Sequence, residues 1–135
     1  MSDFNDSIVK EFRENHGKVA GPFAESDILL LTTVGAKSGK SHTTPLVYST
    51  DGDKYVIIAS KAGADSDPHW YLNIKANPEV EVEVGDEKFK AKTQITDETT
   101  RKQLYNKHAE SYSAFVEYQN KTTRVIPVIL LEKIH

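Results

Sequence analysis

Apolar positions open the chain at four-residue spacing, Phe4, Ile8 and Phe12 forming one stripe, the mark of a short amphipathic helix. Asp3 or Ser2 is placed to cap it, and Gly17 with the Gly21-Pro22 pair ends it. The period then shortens. Strand signals follow at Asp27–Val34, Thr43–Thr50 and Tyr55–Ser60, and Asp51-Gly52-Asp53 joins the last two as a hairpin turn. A helix is expected next, with Asp67 as N-cap, Pro68 in its first position and Asn77-Pro78 as its stop. Val80, Val82 and Val84 alternate with Glu81 and Glu83, which predicts a half-buried strand. Gly85-Asp86 turns into a further strand, Lys88–Ile95. Asp97 starts a longer helix that puts Leu104, His108 and Tyr112 on one face. A short helical piece covers about Ser113 to Lys121, and Arg124–Ile134 closes the chain as a strand. Pro127 inside that strand predicts an edge position or a bulge, because proline cannot donate to a sheet ladder.

About six short strands, tight hairpins and helices that are inserted rather than alternating point to an α+β fold, a closed or nearly closed antiparallel barrel. The lack of regular βαβ alternation argues against a doubly wound sheet. No linker or repeat divides the chain, so residues 1–135 read as one domain: an N-terminal helix within 1–20 and a barrel over 27–134.

Composition narrows the chemistry. At 135 residues the chain can bury a core without staples. It has no cysteine, which excludes disulfides, thiolate nucleophiles and iron–sulfur clusters. The start, MSDFNDSIVKEF, is acidic, and no apolar run reaches the roughly 18 residues of a membrane span, so a cytoplasmic protein without membrane association is expected. A net charge of −3 argues against nucleic acid as a partner. The five histidines, His16, His42, His69, His108 and His135, show no metal-binding spacing, and no metal is expected.

Against this acidic background Gly35-Ala36-Lys37-Ser38-Gly39-Lys40 is a basic island, with no Asp or Glu from Ile28 to Thr50. Glycines free backbone amides to turn toward an anion and lysines add charge, so a phosphorylated ligand is expected. It is not a nucleotide P-loop, which needs four residues between its glycines and a following helix; here there are three, and Pro45 follows. The competing reading is a solvated turn. A second cluster, Ala59-Ser60-Lys61-Ala62-Gly63-Ala64, offers small residues beside which a flat ligand can lie, with Ser60 and Lys61 as donors; its competing reading is a flexible turn. Trp70, the only tryptophan, stands one turn into the next helix with Tyr71 beside it, as a ligand wall or as core. Tyr112, Phe115 and Tyr118, three residues apart, can line a pocket or pack in the core. A phenol hydroxyl at such a wall can donate a hydrogen bond or a proton.

Four segments in this order, LLLTTVGAKSGKSHTTPLVY, DGDKYVIIASKAGA, DPHWYLNIKANPEVEVEVG and SYSAFVEYQNKTTRVIPVILLE, resemble the deazaflavin-dependent nitroreductase family of actinobacterial split β-barrel proteins. The resemblance runs from about Ile28 to Leu131. It implies a split β-barrel that binds coenzyme F420, a flavin analogue with an anionic tail. It implies that Ala36, Lys37 and Ser38 hold the tail phosphate and that Lys40 reaches the oligoglutamate. His42, Thr43, Thr44, Pro45, Leu46 and Val47 would line the groove. Ile58, Ala59, Ser60 and Lys61 would contact the ring, and His69, Trp70, Tyr71, Leu72 and Asn73 would cover the cofactor from the helix. The reduced cofactor would pass a hydride to a small electron-poor acceptor, an enone, a quinone or a nitroaromatic. Tyr112, Tyr118 and Ser60 are the candidate catalytic donors, and Tyr112, Phe115 and Tyr118 the candidate acceptor wall. Phe115 departs from the family pattern, where a tyrosine is often found, and has no proton to give. FMN in place of F420, or a carrier without turnover, are the alternatives, as monomer or homodimer.

Overall fold

The computed structural model describes residues 3–15, 27–60, 68–112, 114–122 and 125–134. Its elements are α1 (Asp3–Glu14), β1 (Ile28–Val34), β2 (Ser41–Val47), β3 (Ser49–Asp51), β4 (Lys54–Ile58), α2 (His69–Ala76), β5 (Glu79–Val84), β6 (Glu87–Ile95), α3 (Glu98–Ser111), α4 (Ala114–Lys121) and β7 (Val128–Lys133). Seven strands form one sheet in the order β2-β1-β5-β6-β7-β4-β3, and every pairing is antiparallel. The fold is α+β with a curled antiparallel sheet.

The curl follows from the connectivity. β2 and β3 are the two ends of the sheet order, yet only Tyr48 separates them in the chain. The edges must therefore come together at Tyr48, whose amide donates to the Asp27 carbonyl at 3.0 Å. The sequence shows one strand over Thr43–Thr50; the structure breaks it at Tyr48 and assigns the halves to opposite edges. Gly52, at φ 63°, makes the expected turn between β3 and β4.

Runs of consecutive apolar residues mark strands covered on both faces. In β1, Leu29 and Leu31 point into the barrel, while Ile28 and Leu30 point outward onto Ile8, Val9 and Phe12 of α1. In β4, Ile57 points inward, while Val56 and Ile58 meet Leu104, Tyr105 and Ala109 of α3. β5 alternates instead: Val80 and Val82 are core and the glutamates lie on the outer face, where Glu83 pairs with Arg13 of α1 at 2.9 Å. The expected stripe on α1 is present at Ile8 and Phe12; the Phe4 side chain, Ser2, Gly17, Gly21 and Pro22 lie outside the described residues, and Asp3 is already helical.

Three boundaries differ from expectation. Pro68 takes the N-cap position of α2 instead of its first turn; Asp67 lies outside the described residues. Asp97 caps α3 as expected, accepting from the Thr100 amide at 2.8 Å, but Tyr112 is the C-cap residue rather than part of the helix face. Pro127 precedes β7 rather than interrupting it, and β7 is an inner strand between β6 and β4. No bulge is required, since the prolyl carbonyl simply accepts from the Ala59 amide at 3.0 Å. Arg124, the expected start of that strand, lies outside the described residues.

Candidate cofactor site

Because neighbours alternate in direction, β1, β4 and β6 run one way and β2, β3, β5 and β7 the other. One end of the barrel thus collects the β1–β2 loop Gly35–Lys40, the β4 exit at Ala59 and Ser60, and α2 leading into β5. These segments are far apart in sequence. The sheet alone unites them.

The loop is held by its own backbone. The Gly35 amide donates to the Lys40 carbonyl at 2.8 Å and the Gly39 amide to the Gly35 carbonyl at 3.0 Å. Gly39 has φ 70°, a conformation that side-chain-bearing residues rarely take. The Lys40 amide donates to Ser38 Oγ at 3.2 Å, and the Ala36 amide to Asn73 Oδ1 on α2 at 3.1 Å. Four of the six loop amides are thus committed, and among the described residues those of Lys37 and Ser38 remain for a ligand. Lys37, Ser38 and Lys40 are exposed. A Cβ built on Gly35 would stand 2.5 Å from Ser38 Oγ and 3.3 Å from both His42 Nε2 and the Lys40 carbonyl. The cradle is therefore closed to any larger residue at that point. Two ammonium groups beside two open amides suit a phosphate or polycarboxylate.

The other expected cofactor residues are placed as follows. His42 is exposed, Thr43, Thr44, Leu46 and Val47 are half-buried, and Pro45 is buried on the edge strand β2, where its missing donor is harmless. Thr43 Oγ1 lies 2.9 Å from Thr32 Oγ1. Ile58 and Ala59 diverge: Ala59 joins the barrel interior, and Ile58 packs under α3. Ser60 is buried at the mouth, and Lys61 lies outside the described residues. On α2, His69 and Leu72 are exposed, while Trp70 and Tyr71, 5% and 8% exposed, belong to the barrel core. Of the two readings of Trp70, the structure gives packing.

Asn73, expected to cover the cofactor from α2, also ties that helix to the loop. It is 8% exposed and spends its carboxamide inside the protein, accepting from Ala36 and donating through Nδ2 to Thr33 Oγ1 at 3.1 Å.

The aromatic residues gather elsewhere. Tyr112 Oη accepts from the Asp27 amide at 3.1 Å and donates to the Tyr48 carbonyl at 3.4 Å. Tyr48 precedes Ser49, which pairs with Val56 of β4. Ser60 is four residues beyond Val56, roughly 13 Å at the rise of a strand. The structure therefore does not bring Tyr112 to Ser60; it puts Tyr112 at the far end of β2, on a polar cavity of ≈ 200 Å³ lined by Asp27, Tyr48, Ser49, Thr50, Lys107 and Ser111 as well. Burial, then the Asp27 carboxylate, raises the Tyr48 phenol above its ordinary value. Phe115 and Tyr118 are half-buried, their rings 5.1 Å apart, against the cluster that contains Ile58.

Behind this wall sits His108, 0% exposed. Its Nδ1 lies 2.8 Å from Ser49 Oγ, and its ring meets Phe115 edge-on at 4.5 Å and Tyr112 at 5.0 Å. Burial lowers its pKa to about 4, so the imidazole is neutral at pH 7. In the sequence, the spacing of four from Leu104 on one helix face is the signal of this burial. Among the described residues no group of three or more His, Cys, Asp or Glu could hold a metal, and no helix is long and apolar enough to cross a membrane.

Comparison with known proteins gives a consistent answer. The family described as F420H(2)-dependent quinone reductase matches residues 6–133. A Mycobacterium tuberculosis protein named as an F420H(2)-dependent quinone reductase is 40% identical over 110 residues, covering 78% of this chain and 72% of that protein. The solved structure of an F420-H2 dependent reductase, FDR-A, superposes with TM-score 0.72 at 40% identity, over 78% of this chain and 94% of that one. A chain solved as a domain-swapped dimer superposes with TM-score 0.74 at 36% identity, over 94% and 93%.

Proposed function

Since this chain belongs to the F420H(2)-dependent quinone reductase family, we propose that it is a reductase for quinone-type acceptors whose cofactor tail is anchored by the Gly35–Lys40 loop. It is an F420-dependent oxidoreductase. When bound, the reduced deazaflavin supplies the hydride. The observation that carries the site assignment is the cradle: a basic loop with two uncommitted amides, at the barrel end shared by Ser60 and α2. The residues present fit a polyanionic tail, because the loop has no room for a Cβ at Gly35 and no acid in its sequence.

The chain's own groups then have separate tasks. Lys37 and Lys40, with the Lys37 and Ser38 amides, hold the tail. Ala59 and Ser60, at the exit of β4, bring the small side chains beside which a flat ring would lie. Trp70 and Tyr71 fix α2 from beneath through the barrel core. Negative charge gathering on an acceptor oxygen calls for a donor, and Ser60 and Tyr118 are the hydroxyls proposed for it. Tyr112, held between the Asp27 amide and the Tyr48 carbonyl at the far end of β2, does not reach an acceptor beside Ser60. Phe115 brings no hydroxyl, which favours quinones, needing after hydride transfer only one proton that a single hydroxyl or solvent can deliver, over nitro groups.

Anaerobic titration with F420 and, separately, FMN, followed by the fluorescence of Trp70, tests this reading. Saturable binding of F420, with turnover of a soluble quinone by the reduced form, is expected. Charge-assisted contacts contribute roughly 1.5–3 kcal/mol each, so Lys37→Ala and Lys40→Ala should each weaken F420 about 10- to 100-fold. A preference for FMN, or binding of neither, would sink it.

A further inference from the structure

Away from the cofactor loop, a groove of ≈ 220 Å³ runs between α3 and α4. We propose that it binds a small organic carboxylate with a short alkyl or aryl body, independently of F420.

Each helix gives the groove one stripe. Arg101, Lys102, Tyr105 and Ala109 follow helical spacing along α3, and Val116 and Gln119 line it from α4. Eight residues separate Arg101 from Ala109, about 12 Å at the rise of a helix. Ile126 marks the charged end: its carbonyl accepts from Arg101 Nη1 at 3.1 Å, and its amide donates to Gln119 Oε1 at 3.3 Å. The chain turns from α3 into α4 at Tyr112, so Ala109 and Val116 lie at the opposite, apolar end. Val116 is 52% exposed there.

The Arg101 guanidinium is fixed yet under-used. It lies over the Tyr105 ring, 5.9 Å from the centroid, and of its five N–H donors the Ile126 carbonyl takes one. Its Nε is buried without a partner, and among the described residues no carboxylate pairs with Arg101. A charge drawn out of water is costly without a counter-ion. Lys102 adds a second cation, and its contact with Glu98 at 3.7 Å joins two exposed side chains, a weak pairing. Two cations call for an anion, and a planar carboxylate matches a guanidinium fork. The apolar end calls for a hydrocarbon body of modest size, since a cavity of about 150 Å³ accommodates benzene.

Hexanoate is the probe, titrated into the full chain and followed through backbone amide resonances, with acetate and hexylammonium as controls. Saturable shifts confined to α3 and α4 are expected with hexanoate and none with hexylammonium. Hexanoate should bind at least about tenfold tighter than acetate, since each buried methylene contributes roughly fourfold. Arg101→Gln should weaken hexanoate about 10- to 100-fold, the loss of a charge-assisted contact. Val116→Asp, at an exposed position, should weaken it at least about tenfold from the apolar end, and it decides the matter if Arg101→Gln does not fold. Equal affinity for acetate and hexanoate, an equal response to hexylammonium, or titrations unchanged by the substitutions would overturn the proposal. Shifts in these helices that follow protein concentration instead of hexanoate would assign the groove to a second copy of the chain and overturn it too. None of these readouts depends on F420, so failure here and failure of the reductase reading are separate results.

Discussion

Acidification from pH 6.5 toward 4 should destabilise this protein through one residue, His108. The imidazole is fully buried beneath Tyr112 and Phe115, with Ser49 as its hydrogen-bond partner. Its folded pKa is lowered from 6.5 to about 4 because burial disfavours the charged form. In the unfolded chain the same group takes up a proton near pH 6.5, so below that pH the unfolded state binds more protons and stability rises with pH. The stabilisation is complete above pH 6.5 and is lost as pH falls to the folded value. The gap corresponds to about 3 kcal/mol at roughly 1.36 kcal/mol per pKa unit, a large share of the ~5–15 kcal/mol that holds a domain together. Asp97 also loses stability in acid, since the Thr100 amide holds its carboxyl below the ordinary value, but only near and below pH 4. Urea unfolding at half-unit intervals between pH 7 and 4 would read the slope. His108→Gln should be less stable at pH 7, from lost ring packing, yet nearly flat across the window. A slope unchanged in His108→Gln would refute the argument.

Three further outcomes are expected. Gly35→Ala should weaken F420 about tenfold because its Cβ displaces Ser38 Oγ and breaks the bond to the Lys40 amide; in a Ser38→Ala background the same change should cost less, and a double-mutant cycle on Kd reads the difference. Tyr118→Phe should lower quinone turnover by about 10- to 100-fold with F420 affinity retained, as stopped-flow reduction and equilibrium titration would separately show. Phe12→Ala should cost roughly 3–5 kcal/mol by urea unfolding, because Phe12, 1% exposed, fills the contact between α1 and the outer face of β1.

The sequence by itself determined the elements and the charged island. Alternation at Val80–Val84, the capping Asp97 and the Asp51-Gly52-Asp53 turn are local signals, each decided by residues within a few positions. The loop at Gly35–Lys40 was legible for the same reason, since glycines and lysines between two strands carry their chemistry wherever the strands go. The packing role of Trp70 and the direction of Ala36 were not legible, because both depend on which elements become neighbours. Nor could pattern show that Thr43–Thr50 serves two sheet edges; an edge strand and a barrel seam have the same period. Only closure at Tyr48 brings Tyr112 to Asp27, and only the seating of α2 against the end of β1 brings Asn73 to Ala36, 37 residues away. Such contacts are fixed by burial of the barrel core as a whole, a sum over long-range pairs that no short window of sequence contains.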